Sequence, residues 1–291
     1  MSNAQKGKVK MKKIDRIKGA LYGFAIGDAM GATTEFMTKE QIKKQYGEVN
    51  QIIGGGWLGV KPGDVTDDTE MTLCVCEAIE RFPQNIGLML NRCCENFTNW
   101  YLLGPKDVGG CCGRVIRACK NTTKHMTWIN KAHDPNSLGN GSLMRTMPIV
   151  LSGLGRQAAL SQSRLTHNNE TCDNVIVSYY GWLSSVLEGK DLNAGLIEKM
   201  EPTGHVVNSL CNALYWAGSG SFEEAIIGAV NDGGDADTIA AITGSLSGAY
   251  HGYDAIPQKW IDALDPVIRL ELDKYAKLFE KISKKVCTNL R

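Results

Sequence analysis

The sequence has no apolar run approaching the ~18–20 residues that cross a bilayer, and its lysine-bearing first residues lead into no apolar segment of the secretory kind. The expectation is a cytoplasmic chain without a membrane partner. Charge of one sign is also missing, since 32 Lys and Arg balance 31 Asp and Glu. That balance disfavours a long basic track for nucleic acid, where clustered cations must face phosphates. Neither C-x-x-C nor H-x-x-x-H occurs, so no zinc site of ordinary spacing is encoded. The 10 cysteines then read as small buried hydrophobes. Strand-like alternation is scarce as well, which turns attention to helices.

Apolar residues recur at helical spacing along most of the chain. Ile14, Ile17, Leu21 and Phe24 form one stripe, and Met71, Val75, Ala78 and Phe82 another. Val175, Tyr179, Trp182 and Val186, then Val206, Leu210, Leu214 and Ala217, and finally Ile268, Leu272, Tyr275, Phe279, Ile282 and Val286 repeat the pattern. Groups such as Gly54-Gly55-Gly56, Lys61-Pro62-Gly63 and Asp232-Gly233-Gly234 separate them. Although 291 residues permit two domains, no low-complexity linker divides the chain and no repeat is visible. The reading is all-α: a flexible segment over 1–12 and a single multi-helix domain over 13–291, with a monomer as the default.

Two acidic segments about 170 residues apart share one design. Thr66-Asp67-Asp68-Thr69 opens the helix striped by Met71, and Asp235-Ala236-Asp237-Thr238 follows Gly233-Gly234 at the head of another. Either alone is equally well explained by capping, because Thr and Asp suit helix starts and the dipole favours acids there. Together they suggest more. Asp67, Asp68, Asp235 and Asp237 carry four negative charges that two divalent ions would neutralise, and carboxylates with Thr hydroxyls are the oxygen donors that Mg²⁺ or Mn²⁺ prefers. A third segment, Gly27-Asp28-Ala29-Met30-Gly31 through Glu35, follows the first helix. There Gly31 suits a helix C-cap, Asp28 a polar helix end, and Glu35 either a surface charge or a general base beside a metal. A fourth, Ser137-Leu138-Gly139-Asn140-Gly141-Ser142, is either an ordinary Asn-Gly turn or glycine-rich backbone offering N–H groups to an anion.

With these four segments in order, the chain resembles the ADP-ribosylglycohydrolase family. The likeness rests on GDAMGATTEFM at 27–37, GGGWLGVKPGDVTDDTEMTL at 54–73, GPKDVGG at 104–110, GNGSLMRTMPI at 139–149, LTHNNE at 165–170 and GGDADTIAAITGSLSGAYHG at 233–252. It implies an all-α domain with a metal-lined cleft, two Mg²⁺ or Mn²⁺ ions, and hydrolysis of the glycosidic bond between ADP-ribose and a modified protein or small molecule. Carried over by motif, Thr66, Asp67, Asp68, Asp235, Asp237 and Thr238 are the metal ligands. Glu35, Asp67 and Asp68 are the catalytic acids. Ser137, Gly139, Asn140, Gly141, Ser142 and His167 then bind the substrate, and Tyr215 or Trp216 is a candidate to stack on adenine. Cys111-Cys112 departs from the family pattern, which leaves the part played by 109–113 open. Two other readings compete: a dinuclear metal hydrolase of a nucleotide or phosphoester, and a protein that binds ADP-ribose without turning it over.

Overall fold

Helix follows helix along the chain. The computed structural model describes residues 11–192 and 197–289, the last five by their backbone alone. The expected flexible segment over 1–12 thus lies outside the described residues except at Met11 and Lys12, as do the side chains of Val286 and Cys287. The helices are α1 (Lys13–Gly31), α2 (Lys39–Tyr46), α3 (Asp67–Arg81), α4 (Ile86–Leu102), α5 (Gly110–Cys119), α6 (His125–Lys131) and α7 (Met147–Ser152). They continue as α8 (Arg156–Ser163), α9 (Glu170–Leu187), α10 (Val206–Ala217), α11 (Phe222–Asp232), α12 (Ala236–His251), α13 (Gln258–Ala263) and α14 (Pro266–Asn289). Among the described residues there is no sheet, only isolated bridges such as Gly139 with His205. No described helix is long and apolar enough to cross a membrane.

α1 and α12 form the centre. The first stripe reads as an amphipathic surface helix, yet α1 is buried on every side from Gly19 to Gly31, and α12 from Ala236 to Ala249. The reason is a second pattern of small residues. Gly19, Gly23, Gly27 and Gly31 recur every fourth position and face Gly248, Gly244, Ala240 and Ala236 in turn. The two helices run antiparallel with backbone against backbone, so a Cβ placed at Gly23 would overlap the Gly244 carbonyl, and one at Gly244 would overlap that of Gly23. Gly31 ends α1 for the same reason: a Cβ there would collide with Ala236 and Asp237. Around this pair pack the apolar faces of the other helices, with Phe24, Phe97, Trp128, Tyr179, Trp260 and Phe279 fully buried.

This geometry delivers the C-terminal turn of α1 to the N-terminal turn of α12. α3 starts at the same place, capped by Thr66, whose hydroxyl accepts from the Asp68 N–H at 3.3 Å. The turn before α12 is equally constrained. Gly233 and Gly234 have φ of 75° and 65°, and the Phe36 N–H donates to the Gly234 carbonyl at 2.6 Å while the Asp235 N–H donates to that of Pro202 at 2.8 Å.

Substituting Gly23→Ala is expected to destabilise the protein by about 1–3 kcal/mol, the usual range for forcing extra carbon into a packed interior. A urea titration measures it. A midpoint equal to that of the wild type would show that the helices do not meet backbone to backbone.

Candidate active site

Three helix ends converge on one buried group of carboxylates. Asp28, fully buried in the last turns of α1, accepts from the Thr66 N–H at 3.1 and 3.2 Å, the Thr69 N–H at 3.0 Å and the Thr69 hydroxyl at 2.5 Å. It is therefore no mere polar helix end; it ties α1 to the start of α3. Asp68 accepts from the Thr238 hydroxyl at 3.0 Å and the Thr66 hydroxyl at 3.3 Å through one oxygen. Its other oxygen is buried and has no hydrogen-bond partner. Asp237 accepts from the Thr238 N–H at 2.8 Å, Asp67 from the Gly109 N–H at 3.3 Å, and Asp235 from the Asn140 amide. Glu35 accepts from the Trp57 indole N–H at 2.5 Å.

Two triads of oxygens emerge. One oxygen each from Asp28, Asp68 and Asp237 lie within 4.8 Å of one another, and so do one each from Glu35, Asp235 and Asp237. Ligands about an octahedral cation with bonds of 2.0–2.1 Å stand roughly 3–4 Å apart, so each triad needs little adjustment to hold one ion, with Asp237 common to both. The unpartnered oxygen of Asp68 is a further sign of fit, because a buried acceptor without a donor is costly unless something positive meets it. Of the six ligands expected from sequence, Asp68, Asp235 and Asp237 belong to these triads. Thr66 and Thr238 bond to Asp68. Asp67 lies outside the triads and lines the cavity above them.

Electrostatics fit the same picture. Burial first, and neighbouring carboxylates after it, hold Asp67, Asp68 and Asp237 well above the ordinary carboxylate range. Burial likewise raises Asp28 and Asp235 to about 6 and Glu35 to about 8. Asp107, half-buried beside Asp67, is raised by burial too, and sequence reasoning assigned it no role.

Above the carboxylates lies a cavity of about 340 Å³. Its lining includes Gly139, Asn140 and Gly141 with His167, and beside them Val108 to Cys112. Residues 109–113 thus acquire a place: Gly109 touches Asp67 and α5 begins at Gly110. His167 is buried, its Nδ1 lies 2.8 Å from the Thr166 hydroxyl, and burial followed by Arg145 and Arg114 lowers its pKa to about 3, so the ring is neutral. Gly141 rests directly on it, for a Cβ there would lie 3.2 Å from the ring and 2.8 Å from the Cys112 sulfur.

Arg145 holds both pieces from beneath. It is fully buried and donates to the Gly141 carbonyl at 2.6 Å, the Thr166 hydroxyl at 2.7 Å and Gln162 at 2.6 Å. Its signal in the sequence is a lone charge inside the apolar run from Leu143 to Leu151. Two expected contacts do not line the cavity: the Ser142 hydroxyl pairs with Ser163 at 2.9 Å, and that of Ser137 accepts from Arg114 at 2.9 Å while donating to Cys111. Tyr215 and Trp216 are also absent from its lining, and the Trp216 indole reaches Asp232 instead.

Comparison with known proteins agrees with this architecture. The ADP-ribosylglycohydrolase family model matches residues 10–201 and 184–287. The chain belongs to that family. It is 35% identical over 280 residues to the ADP-ribosyl-[dinitrogen reductase] glycohydrolase of Rhodospirillum rubrum, covering 89% of this chain and 93% of that one. To an ADP-ribosylarginine hydrolase of Pseudomonas putida it is 30% identical over 286 residues, covering 86% and 74%. A solved structure of an ADP-ribosylglycohydrolase-related protein complex superposes with a TM-score of 0.80 at 29% identity, covering 93% of this chain and 99% of that one.

The raised carboxyl pKa values give a pH test with a definite sign. Free of metal, the folded chain holds protons that the unfolded chain releases near pH ~4. Its stability therefore falls as pH rises from about 4 through about 6, where Asp28 and Asp235 titrate, towards about 8, where Glu35 does. If the triads bind metal, saturating Mg²⁺ or Mn²⁺ would replace those protons and is expected to raise the melting temperature more at pH 8 than at pH 5. Equal shifts at both values would place the ions elsewhere.

Proposed function

We propose that the protein is a metal-dependent hydrolase that cleaves the glycosidic bond between ADP-ribose and a modified target, releasing free ADP-ribose. One observation carries this reading: of two carboxylate triads sharing Asp237, all members but the buried Asp28 line a cavity walled by a glycine-rich loop and a neutral histidine. The names of the relatives, which specify arginine and dinitrogen reductase, put a modified arginine on a protein first among the leaving groups.

Asp28, Asp68 and Asp237 would hold one divalent cation, and Asp235 and Asp237 the other, with Glu35 at its edge. Bound Mg²⁺ or Mn²⁺ supplies Lewis acidity towards the ribose hydroxyls and a water. Cleavage at C1 of the distal ribose builds oxocarbenium character, which a floor of carboxylates favours electrostatically. Gly139 to Gly141 approach the diphosphate without side-chain obstruction, and His167, kept neutral by burial, contributes a hydrogen bond to the same part of the substrate. Arg145 positions both. Glu35, with one oxygen held by Trp57, takes the proton of the attacking water at its other oxygen. Holding the diphosphate far from the reacting bond makes attack effectively intramolecular.

The folded double variant Asp67→Asn with Asp237→Asn is expected to release no ADP-ribose from an ADP-ribosylated peptide. Release at the wild-type rate would end the metal assignment. For Glu35→Gln, kcat is expected to fall by about 10²–10⁴-fold, the range of general base catalysis, with at least one ion per chain retained on Asp28, Asp68 and Asp237. Chromatography of the product separates this reaction from phosphoester hydrolysis, which would give AMP or inorganic phosphate.

A further inference from the structure

At the lip of the cavity stand two large aromatic side chains that the core does not use. Phe36 is 66% and Trp57 54% exposed, and their ring centroids are 5.4 Å apart with planes inclined at 44°. Both are held in place. Phe36 has a φ of 60°, the one positive value outside glycine among the described residues, a conformation that costs a bulky residue about 1–3 kcal/mol. Its N–H is bonded to Gly234, so the ring is registered against the turn that carries Asp235. Trp57 is fixed through the indole bond to Glu35 and rises from a loop in which Gly54, Gly55, Gly56 and Gly59 all take positive φ.

On the far side of this pair a groove of about 560 Å³ continues over Gln41, Gln45 and Tyr46, sharing Glu35, Phe36 and Trp57 with the cavity. Neither lining includes a Lys or Arg. An aromatic pair with no Lys or Arg beside it is matched to a flat positive group, which the ring faces attract by their quadrupoles.

We propose that Phe36 and Trp57, the latter held by Glu35, form the leaving-group subsite, that this subsite selects a guanidinium, and that the polypeptide bearing the modified arginine leaves across the Tyr46 groove. The inference rests on the hydrolase reading given above. A serine hydroxyl in the same place would gain nothing from the rings.

The test is Phe36→Leu, which keeps apolar bulk while removing the ring. Wild type and variant, their folding compared by melting curves, are assayed on matched peptides carrying ADP-ribosyl-arginine and ADP-ribosyl-serine. The arginine-to-serine ratio of kcat/KM is expected to fall about 3- to 30-fold, mostly through KM for the arginine peptide, as loss of one cation–π contact implies. A ratio unchanged within about twofold would overturn the proposal. Tyr46→Ala is expected to raise KM for the arginine peptide more than for free ADP-ribosyl-arginine, and an equal rise would remove the groove from it. A second measurement needs no turnover: methylguanidinium is expected to shift the Trp57 indole ¹H–¹⁵N signal at lower concentration than methylammonium, and to lose that preference in Phe36→Leu. Should the wild type release ADP-ribose from no adduct, the hydrolase reading fails, while this titration still decides the subsite; equal shifts by the two cations would overturn it.

Discussion

Six carboxylates, Asp28, Glu35, Asp67, Asp68, Asp235 and Asp237, occupy one region in which five are buried and Asp235 is partly so. Their repulsion is the constraint to which the rest of the molecule answers. A fold that gathers like charges in a dry place must hold them rigidly, because each would otherwise gain by moving apart or outwards. The backbone-to-backbone packing of α1 on α12 supplies that rigidity, since Gly23 and Gly244 leave no side chain between the helices to yield. The three donors around Asp28 then tie α3 to the same frame.

The floor and the wall of the cavity are built by different physics. The floor uses helix starts, whose dipoles and free N–H groups make acidic side chains tolerable in the first turn. The wall uses irregular backbone held by a buried guanidinium: Arg145 reaches the Gly141 carbonyl and the Thr166 hydroxyl at once, so the glycine-rich loop and His167 are positioned by a single side chain. The protein bonds made by Arg145 are to neutral groups. Its charge therefore stands beneath the part of the cavity assigned to the diphosphate, which makes electrostatic as well as geometric sense of that assignment.

Much of the site was legible in the sequence because helix starts have a local grammar. Thr66-Asp67-Asp68 and Asp235-Ala236-Asp237-Thr238 each carry capping chemistry, and their doubling is what points to a metal centre. Asp28 was not legible. An aspartate near the end of a helix is ordinary by position, and its role arises only when Thr66 and Thr69, some forty residues on, arrive to donate to it. The Ser137 and Ser142 hydroxyls bond to Cys111 and Ser163 outside the cavity lining, because a loop motif marks the backbone that passes a ligand but not which side chains turn inward.

Spacing within about ten residues specifies the striped helices α1, α3, α9, α10 and α14, the glycine turns and the two acidic helix starts, because periodicity, capping and turn preferences act over that range. The central place of α1 and α12, the sharing of Asp237 between two triads, the buried Arg145 and the exposed Phe36–Trp57 pair were decided by tertiary structure alone. These depend on distances between segments that lie far apart along the chain, and no local preference specifies which two helices will touch or at what register.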